Sequence, residues 1–365
     1  MRPAERMHRP DGANQPDAVC STAAWLRQFR IAVVLPCYCV EREIAAVLRS
    51  IPLFVRHIIA VDDASPDGTG DIIERVAASD ARIIPLHHAK NLGVGGAMIS
   101  GFRKAFEVGA QIVVKMDGDG QMHVEDLPAL VAPLIQGEAD YTKGNRFRDV
   151  VALHQMPWLR RFGNMMSSLI VKAATGYWHC FDPNNGYVAI RADVLAQLPL
   201  DTIDHSYFFE ISMLQELNLI NAVVRDVPMP ARYGSEVSHL STRRVLREFP
   251  RPLGMSFLRR IVLKKFMYAF TVESLEILLG LPLLLCGTLY GGYVWWDYAQ
   301  RGAPTGTVVL PALLITVGFQ LLLAALRHDV NAVPRHPIGR GPLAPADHQI
   351  SRLESSTPPP ELYQQ

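Results

Sequence analysis

Two apolar stretches near the C-terminus, residues 277–296 and 303–326, restrict the fold of this chain more than any other feature. Neither contains a charged residue, and each has about the length that an α-helix needs to cross roughly 30 Å of hydrocarbon. The alternative, two core helices of a large soluble domain, fits poorly because core helices are seldom uncharged over such a length. The sequence therefore predicts a transmembrane hairpin over residues 273–327.

The residues that flank the hairpin predict its orientation. Lys and Arg are concentrated in residues 243–265, whereas the short loop 297–302 carries only Asp297 and Arg301 as charged residues. Cytoplasmic flanks are enriched in Lys and Arg. Both chain ends and the large N-terminal part are therefore predicted to be cytoplasmic, at a bacterial inner membrane.

The basic segment before the hairpin, residues 242–272, is predicted to form interfacial helices. Its apolar residues recur at helical spacing: Phe257, Leu258, Ile261, Val262, Phe266 and Phe270. A helix of this kind lies in the membrane surface, with its cations towards anionic headgroups. A charged face exposed to solvent is the alternative that stays open.

Charge and cysteine content exclude other classes of protein. The formal net charge of +1 does not provide the basic field of a nucleic-acid-binding protein, so no nucleic acid is predicted as a partner. The 5 cysteines lack the paired spacing of a zinc site or a disulfide framework, which favours reduced thiols in the cytosol. Residues 1–29 and 328–365 are predicted to be a flexible leader and a flexible cytoplasmic tail.

Residues 30–241 are predicted to form one α/β catalytic domain. Short apolar runs alternate with amphipathic patterns; the predicted strands are 31–35, 57–61, 81–86 and 111–116, and the predicted helices are 43–50, 70–78 and 95–107. This alternation is typical of a mostly parallel sheet with helices on both faces. Ligands bind at the carboxyl ends of the strands in such sheets, and the polar clusters of this chain directly follow the predicted strands.

The strongest local motif is Asp117-Gly118-Asp119-Gly120-Gln121, after the fourth predicted strand. Two carboxylates and an amide oxygen at one strand end can bind a hard cation, so Asp117, Asp119 and Gln121 are the predicted ligands of Mg²⁺ or Mn²⁺. An acidic pair between glycines is also common in a turn that binds nothing.

Other segments at strand ends suit a nucleotide. Pro36 and Tyr38 follow the first strand, Asp62 and Asp63 follow the second, and the glycine-rich segment 91–97 opens a helix. An acid at a strand tip suits the donors of a ribose or base, and a glycine-rich helix start presents free N–H groups to phosphates. As an alternative, Asp62 caps the helix that follows it.

In this order, the motifs resemble those of the family 2 glycosyltransferases with the GT-A (Rossmann-like) fold, and among them the polyprenyl-phosphate sugar synthases related to dolichyl-phosphate mannose synthase. The resemblance implies a set of nucleotide-binding residues: Pro36, Tyr38, Glu41, Asp63 and Asp117. It also implies that the metal ligands named above hold the diphosphate. This chain departs from the family at Cys39, where Asn is usual, and at Val40, where an acid is common. A thiol lacks the paired donor and acceptor with which an amide recognises a base.

The resemblance also assigns residues to the phosphates and to the sugar. Arg146, in a Gly-x-Arg segment, is implied to face the donor diphosphate or the acceptor phosphate, with a surface salt bridge as the alternative. Arg161 or its neighbour Arg160 matches a second basic position. Asp182 and Asn185 match a segment that lines the sugar pocket, where Asn185 replaces the usual serine. A turn without a function is the alternative there.

Three further residues complete the predicted site. Glu210 is similar to a family acid near the sugar, although a carboxylate stabilised by a helix dipole is an equal interpretation. Arg232 and Ser238 lie in a loop that resembles one closing over the donor at the membrane border. The predicted catalytic residues are Asp119, Arg146 and Glu210.

The implied reaction is metal-dependent, inverting transfer of a sugar from a GDP- or UDP-linked donor to a polyprenyl phosphate. One alternative is a family 2 transferase that acts on another lipid or glycan, and a second is an inactive membrane scaffold with a decayed transferase domain. The Gln-x-x-Arg-Trp motif of processive synthases does not occur in the sequence. Donor identity and oligomeric state stay open, with a homo-oligomer as one alternative.

Overall fold

The structure, a computed structural model, describes residues 23–145, 158–180, 182, 185–230, 250–298, 301–339 and 341–346, except for the side chains of 158–164 and 167. A seven-stranded sheet with the order β3-β2-β1-β4-β6-β5-β7 forms its N-terminal part. The strands are β1 (Ile31–Cys37), β2 (His57–Asp62), β3 (Ile83–His87), β4 (Ile112–Lys115), β5 (Tyr141–Asn145), β6 (Val188–Arg191) and β7 (Val224–Pro228).

All strands except β6 run in the same direction. β1 pairs in parallel with β2 and β4, β2 with β3, and β5 with β7. β6 is antiparallel to both of its neighbours, β4 and β5. The mostly parallel α/β fold predicted from the sequence is therefore confirmed.

Helices cover both faces of this sheet. They are α1 (Ile44–Ser50), α2 (Thr69–Ala77), α3 (Gly93–Glu107), α4 (Leu127–Ile135), α5 (Trp158–Thr175), α6 (Ala192–Leu195) and α7 (Phe209–Leu219). Along β1, Ile31 and Val33 enter one buried apolar cluster, whereas Ala32 and Val34 enter another. A strand buried on both faces is expected to be a continuous apolar run, as β1 is.

Among the described residues, four helical segments follow the sheet domain. α8 (Pro250–Ile261) leads into a π-helical segment, Val262–Met267, and two long helices follow, α9 (Val272–Tyr298) and α10 (Thr305–Asn331). Both long helices are apolar and long enough to cross a membrane, and only 17% of each apolar window is buried. A core helix of a soluble domain is mostly buried, so this exposure favours a membrane hairpin.

Glycines allow α9 and α10 to pack closely. A side chain at Gly287 would lie 2.8 Å from the backbone nitrogen of Ile315, and one at Gly318 would lie 2.6 Å from that of Leu284. Small residues at such contacts are typical of helix pairs in membranes, where close approach of the backbones provides the attraction.

The two predicted flexible ends differ from the structure over part of their length. Leu26 and Phe29 are core residues, although residues 1–29 were expected to be a leader. In the predicted tail 328–365, α10 continues to Asn331, and the backbone N–H groups of Ile338 and Gly339 donate to the buried carboxylate of Asp140 at 3.0 and 2.8 Å. Composition alone does not reveal such packing, because backbone donors of any residue type can satisfy a buried acid.

Candidate active site at the carboxyl edge of the sheet

The acidic motif lies directly after β4, at the carboxyl edge of the parallel strands. A side chain at Gly118 would stand 3.3 Å from the Cys37 sulfur, so the loop packs closely on the end of β1. The Asp119 carboxylate accepts a hydrogen bond from the Gln121 backbone N–H at 3.0 Å. Asp117, Asp119 and Gln121, the three predicted metal ligands, thus share one short loop at this edge.

Lys115 joins Asp117 to Glu210. Its ammonium group lies 2.7 Å from an Asp117 oxygen and 3.2 Å from a Glu210 oxygen, and its side chain is only 2% exposed. Burial acts to lower the Lys115 pKa, but the two carboxylates outweigh this and raise it above the ordinary value, so the lysine stays charged. The sequence motifs did not indicate a role for Lys115. A charged residue at the end of the apolar strand β4 was the available signal, because buried charges need partners.

The turn that precedes β6 packs against this cluster. A side chain at Gly186 would lie 2.5 Å from the Lys115 nitrogen and 3.0 Å from an Asp117 oxygen. Asn185 is buried, and its amide donates to the Gly144 carbonyl at 2.8 Å and accepts from the Tyr187 N–H at 3.0 Å. The side-chain amide of Asn185, a predicted sugar-pocket residue, therefore stabilises the turn through these hydrogen bonds.

Lys143, in β5, is a second buried lysine near the carboxyl edge of the sheet. Its ammonium group donates to the Asn185 carbonyl, and burial lowers its pKa against the opposing effect of the Glu210 and Asp182 charges. Asp182 itself is buried. Lys115, Lys143, Asp182 and Glu210 thus form a largely desolvated set of charges beside the acidic loop, and in such a set each charge has a strong effect on the others.

The two loops expected to hold the nucleotide are tied to each other. The Cys39 N–H donates to the Ser65 hydroxyl at 3.3 Å, and Glu41 accepts from the Gly68 N–H at 3.2 Å. Cys39 has φ 55°, in the left-handed region where Asn is tolerated better than most residues. This backbone conformation gives a physical reason for the family's preference for Asn. Tyr38 is half exposed, so its ring is accessible to a ligand.

Asp63, the predicted nucleotide-binding acid, is buried and hydrogen-bonded within the protein. Its two oxygens accept from the backbone N–H groups of Leu92 and Gly93, both at 2.8 Å, and one oxygen lies 2.6 Å from the His88 ring. His88 in turn contacts the Ser100 hydroxyl at 2.9 Å. Asp63 therefore holds the start of α3.

The expectation of free phosphate-binding N–H groups at this helix start is wrong. The N–H groups of Gly95 and Gly96 donate to the His205 carbonyl at 2.9 and 3.3 Å. Gly93, with φ 82°, would place a side chain against the same carbonyl. The glycines are needed because the segment 204–206 lies directly on the helix end, and this segment leads into α7 and Glu210.

Several predicted residues cannot be placed in this arrangement. Arg146, Arg232 and Ser238 lie outside the described residues. Arg161, like Arg160, belongs to α5 by its backbone, and the position of its side chain is outside the described part of the chain.

An exposed apolar surface adjoins the polar cluster. Phe208 and Ile211, on either side of Glu210, pack with Val171 of α5, and Leu253 of α8 packs against them. Beyond this contact, α5 and α8 expose large apolar side chains: Met165, Met166, Leu169, Ile170, Met255, Phe257 and Leu258. Exposed apolar side chains on two helices in contact are a feature of surfaces that bind a membrane or another protein.

The residues of the acidic loop fit a divalent metal that shares its coordination with a substrate. Within the described residues, no group of three or more His, Cys, Asp and Glu is placed to hold a metal alone. Mg²⁺ is commonly bound by one or two carboxylates together with substrate phosphates and water. Asp117 and Asp119, with the Gln121 amide, provide that donor set, and the Asp117 side chain is one-third exposed.

Known proteins with similar sequences share a common chemistry. Residues 32–198 match the model of Glycosyl transferase family 2. An undecaprenyl-phosphate mannosyltransferase of Micrococcus luteus is 35% identical over 173 residues, which cover 47% of this chain and 70% of that protein. A UDP-N-acetylglucosamine–dolichyl-phosphate N-acetylglucosaminyltransferase of Methanococcus voltae is 31% identical over 181 residues, covering 46% and 72%. A polyprenol monophosphomannose synthase of Mycolicibacterium smegmatis is 31% identical over 195 residues, covering 50% and 70%.

A solved structure is also similar. The crystal structure of glucosyl-3-phosphoglycerate synthase from Mycobacterium tuberculosis, in complex with Mn²⁺, UDP and phosphoglyceric acid, has 22% sequence identity and a TM-score of 0.48, covering 70% of this chain and 84% of that one. The sequence relatives carry the assignment, because each is matched over more than two thirds of its own length. The predicted resemblance to polyprenyl-phosphate sugar synthases is confirmed, and this chain is a glycosyltransferase that belongs to glycosyl transferase family 2.

Proposed function

We propose that this glycosyltransferase moves a sugar from a nucleoside-diphosphate sugar to the phosphate of a polyprenyl lipid, at the cytoplasmic face of a bacterial inner membrane. The catalytic domain is residues 30–241, the interfacial helices are within 242–272, and the hairpin 273–327 anchors the chain. The donor carries GDP or UDP, the reaction inverts the anomeric centre, and Mg²⁺ or Mn²⁺ is required.

One observation carries this proposal: the polar cluster and the apolar surface meet at α7. Glu210 contacts Lys115 on the polar side, while its neighbours Phe208 and Ile211 pack against α5. An acceptor with a charged phosphate and a long apolar tail needs both environments next to each other. The names of the matched relatives, which include undecaprenyl-phosphate and dolichyl-phosphate transferases, support the same class of acceptor.

The reaction requires an oxygen of the acceptor phosphate to attack the anomeric carbon while the bond to the nucleoside diphosphate breaks. A phosphate monoester is largely ionised near neutral pH because its second pKa is about 6, so a strong general base is not needed. The nucleoside diphosphate leaves with the electron pair of the broken bond. Stabilising this leaving group is therefore the main task of the site.

Asp117, Asp119 and Gln121 would hold the divalent metal against the donor diphosphate. When bound, the metal neutralises the negative charge that grows on the leaving group. Lys115 keeps Asp117 beside Glu210 by contacts of 2.7 and 3.2 Å, so the acidic loop and the acceptor side of the site are fixed relative to each other. Glu210 accepts hydrogen bonds, and a sugar hydroxyl near it is a suitable donor.

The test is transfer of label by the full-length protein in liposomes. The purified protein is incubated with Mn²⁺, undecaprenyl phosphate and a panel of labelled GDP- and UDP-sugars, and the label in the organic phase is measured. The Asp119→Asn variant removes one predicted metal ligand. Asp71→Asn is the matched control, because Asp71 is an exposed acid of α2.

Label from one donor that is lost in Asp119→Asn and kept in Asp71→Asn is the expected result, and it identifies the sugar. Nucleotide binding that depends on Mn²⁺, without transfer to the lipid from any donor, would refute the polyprenyl-phosphate acceptor. Transfer that is unchanged in Asp119→Asn would refute the assigned metal site.

A further inference from the structure

Four buried charges meet where the sheet domain joins the two long helices. The carboxylate of Asp329, in the last turn of α10, accepts two hydrogen bonds from Arg260, at 2.8 and 2.9 Å. Lys265 lies 3.3 Å from the same carboxylate and 2.6 Å from Glu273 at the start of α9. All four residues are at most 7% exposed. The cluster contains two positive and two negative charges, so its charges are balanced.

The sheet domain contributes directly to this cluster. The indole N–H of Trp178 donates to Asp329 at 2.9 Å, and Arg260 also donates to the Ala173 carbonyl at the end of α5, at 2.8 Å. Gly176 has φ 77°, and a side chain there would lie 2.8 Å from Arg260. The glycine at this position therefore leaves space in the sheet domain for the guanidinium group of Arg260.

The cluster also bridges the only break in the helical path from α8 to α9. Residues 268–271 are not helical, and they separate Lys265 from Glu273. Hinges are short non-helical segments that absorb changes in φ and ψ. Apart from this cluster and the bonds of residues 338–339 to Asp140 after α10, rotation about these four residues would let the hairpin change its angle to the sheet domain. The contact between Lys265 and Glu273 crosses this break directly. The contact between Arg260 and Asp329 links α8, before the break, to the end of α10.

Buried ion pairs add little net stability compared with well-packed apolar residues, so stability alone does not account for such a cluster. Its bonds do have strict geometry: a bidentate Arg–carboxylate pair fixes both partners in orientation as well as distance. A bidentate pair of this kind is therefore suited to fixing the angle between the two segments that it joins.

We infer that Asp329 is a positioning residue, whose carboxylate locks the sheet domain at one angle to the membrane hairpin. A lipid-borne phosphate can reach the site only at a set height and angle, because its tail stays in the bilayer. A displacement of about 1 Å at a reacting group can reduce a rate by about 100-fold. The kinetic consequence for a lipid acceptor rests on the proposed function, whereas the fixed angle does not.

The direct test is a distance measurement in the full-length protein in nanodiscs. Spin labels are attached at Asp71→Cys in the sheet domain and Arg301→Cys between the long helices, after Cys20, Cys39 and Cys286 have been replaced by Ser. The background protein should give one narrow distance distribution, and Asp329→Asn should broaden it at least about twofold. Asp297→Asn, at the opposite end of α9, is the matched control and should leave it narrow.

A distribution that stays narrow in Asp329→Asn would overturn the inference. If that variant does not fold, Trp178→Phe removes a single hydrogen bond of the cluster, and an unchanged distribution in this second variant would also overturn it. Because the distances need no substrate, this result is independent of whether the proposed acceptor is correct.

The kinetic test separates positioning from general damage. In liposomes with undecaprenyl phosphate, Asp329→Asn should raise the KM for the lipid about tenfold, with the Kd of the nucleotide unchanged within about twofold. With a short-chain isoprenyl phosphate in detergent solution, the rate should stay within about twofold of the wild type. Equal losses with both acceptors would contradict a positioning role, and partial recovery in Asp329→Glu would support it.

Discussion

Replacing Gly95 by alanine tests whether the segment 204–206 holds Glu210 in place. The new methyl group would lie 2.7 Å from the His205 Cα and 2.8 Å from its carbonyl carbon, and closer still to the Asp204 carbonyl oxygen. These are backbone atoms, which cannot rotate away as a side chain does. The segment must therefore lift from the end of α3, and both hydrogen bonds to the His205 carbonyl are lost or lengthened.

The size of the effect follows from three contributions. Each lost backbone hydrogen bond costs about 1 kcal/mol, and the steric overlap costs about 1–3 kcal/mol. Alanine is more favourable than glycine inside a helix by about 1 kcal/mol, which offsets part of the loss. The net destabilisation is about 3 kcal/mol, equivalent to a fall in Tm of roughly 6–12 °C for a domain of this size.

The effect on activity should be selective. Segment 204–206 leads into α7, so the turnover number should fall at least about tenfold when Glu210 moves. The Kd of the nucleotide should change little, because Asp63 bonds to Leu92 and Gly93, before the substituted position. Thermal unfolding followed by tryptophan fluorescence, nucleotide binding and single-turnover transfer measure the three quantities.

Gly254→Ala is the matched control, since a side chain at Gly254 in α8 meets nothing within 4 Å. The same chemical change should there raise stability by about 0.5–1 kcal/mol through helix propensity. A Gly95→Ala variant with wild-type Tm and turnover would contradict this role of segment 204–206, because the segment would then tolerate displacement from α3 without consequence.

For three other cases the structure predicts whether the measured quantity rises or falls. Cys39→Asn should raise stability by up to about 1 kcal/mol, seen as a higher Tm, because asparagine tolerates the left-handed φ of 55° better than cysteine. Lys115→Met should lower the free energy of unfolding by about 3–5 kcal/mol, measured by denaturant titration, because Asp117 and Glu210 lose their shared counter-charge. The acylation rate of the Lys264 amine should reach half of its maximum at about pH 8, because burial and then the charges of neighbouring cations lower its pKa to about 8. Since this pKa is below that of the unfolded chain, the Lys264 contribution to stability should increase as pH rises above about 8.

The first four strands and the acidic loop were predictable because their signals are local, whereas β5, β6 and β7 were not predicted. β1 is a continuous apolar run that matches a strand buried on both faces, and the motif from Asp117 to Gln121 lies in five successive residues. The predicted strand 31–35 extends to Cys37 in the structure, within the usual error of an element boundary. The two long helices were equally clear from length and absence of charge.

The contacts between distant segments were not predictable. Lys115 reaches Glu210, and the His205 carbonyl fills the start of α3, through pairings that no local pattern encodes. A glycine-rich helix start has the same sequence whether its N–H groups face a phosphate or a backbone carbonyl. The same limit applies to Asp63, whose carboxylate bonds to the backbone of Leu92 and Gly93 through contacts that no local pattern encodes.

Helix α7 carries Glu210 at one end and contacts the segment that precedes the long helices at the other. Its first turn carries Glu210. Its last turn contacts α8 and the π-helical segment after it, where Lys264 donates to the Asn218 carbonyl at 2.9 Å and Arg259 pairs with Glu216. A helix of 11 residues transmits a displacement at one end to the other because its backbone hydrogen bonds resist bending. The position of Glu210 is therefore determined jointly by α3, through the 204–206 segment, and by the segment before α9, through Arg259 and Lys264. Under the proposed function, this single rigid element would set the distance between the nucleotide sugar and the lipid acceptor.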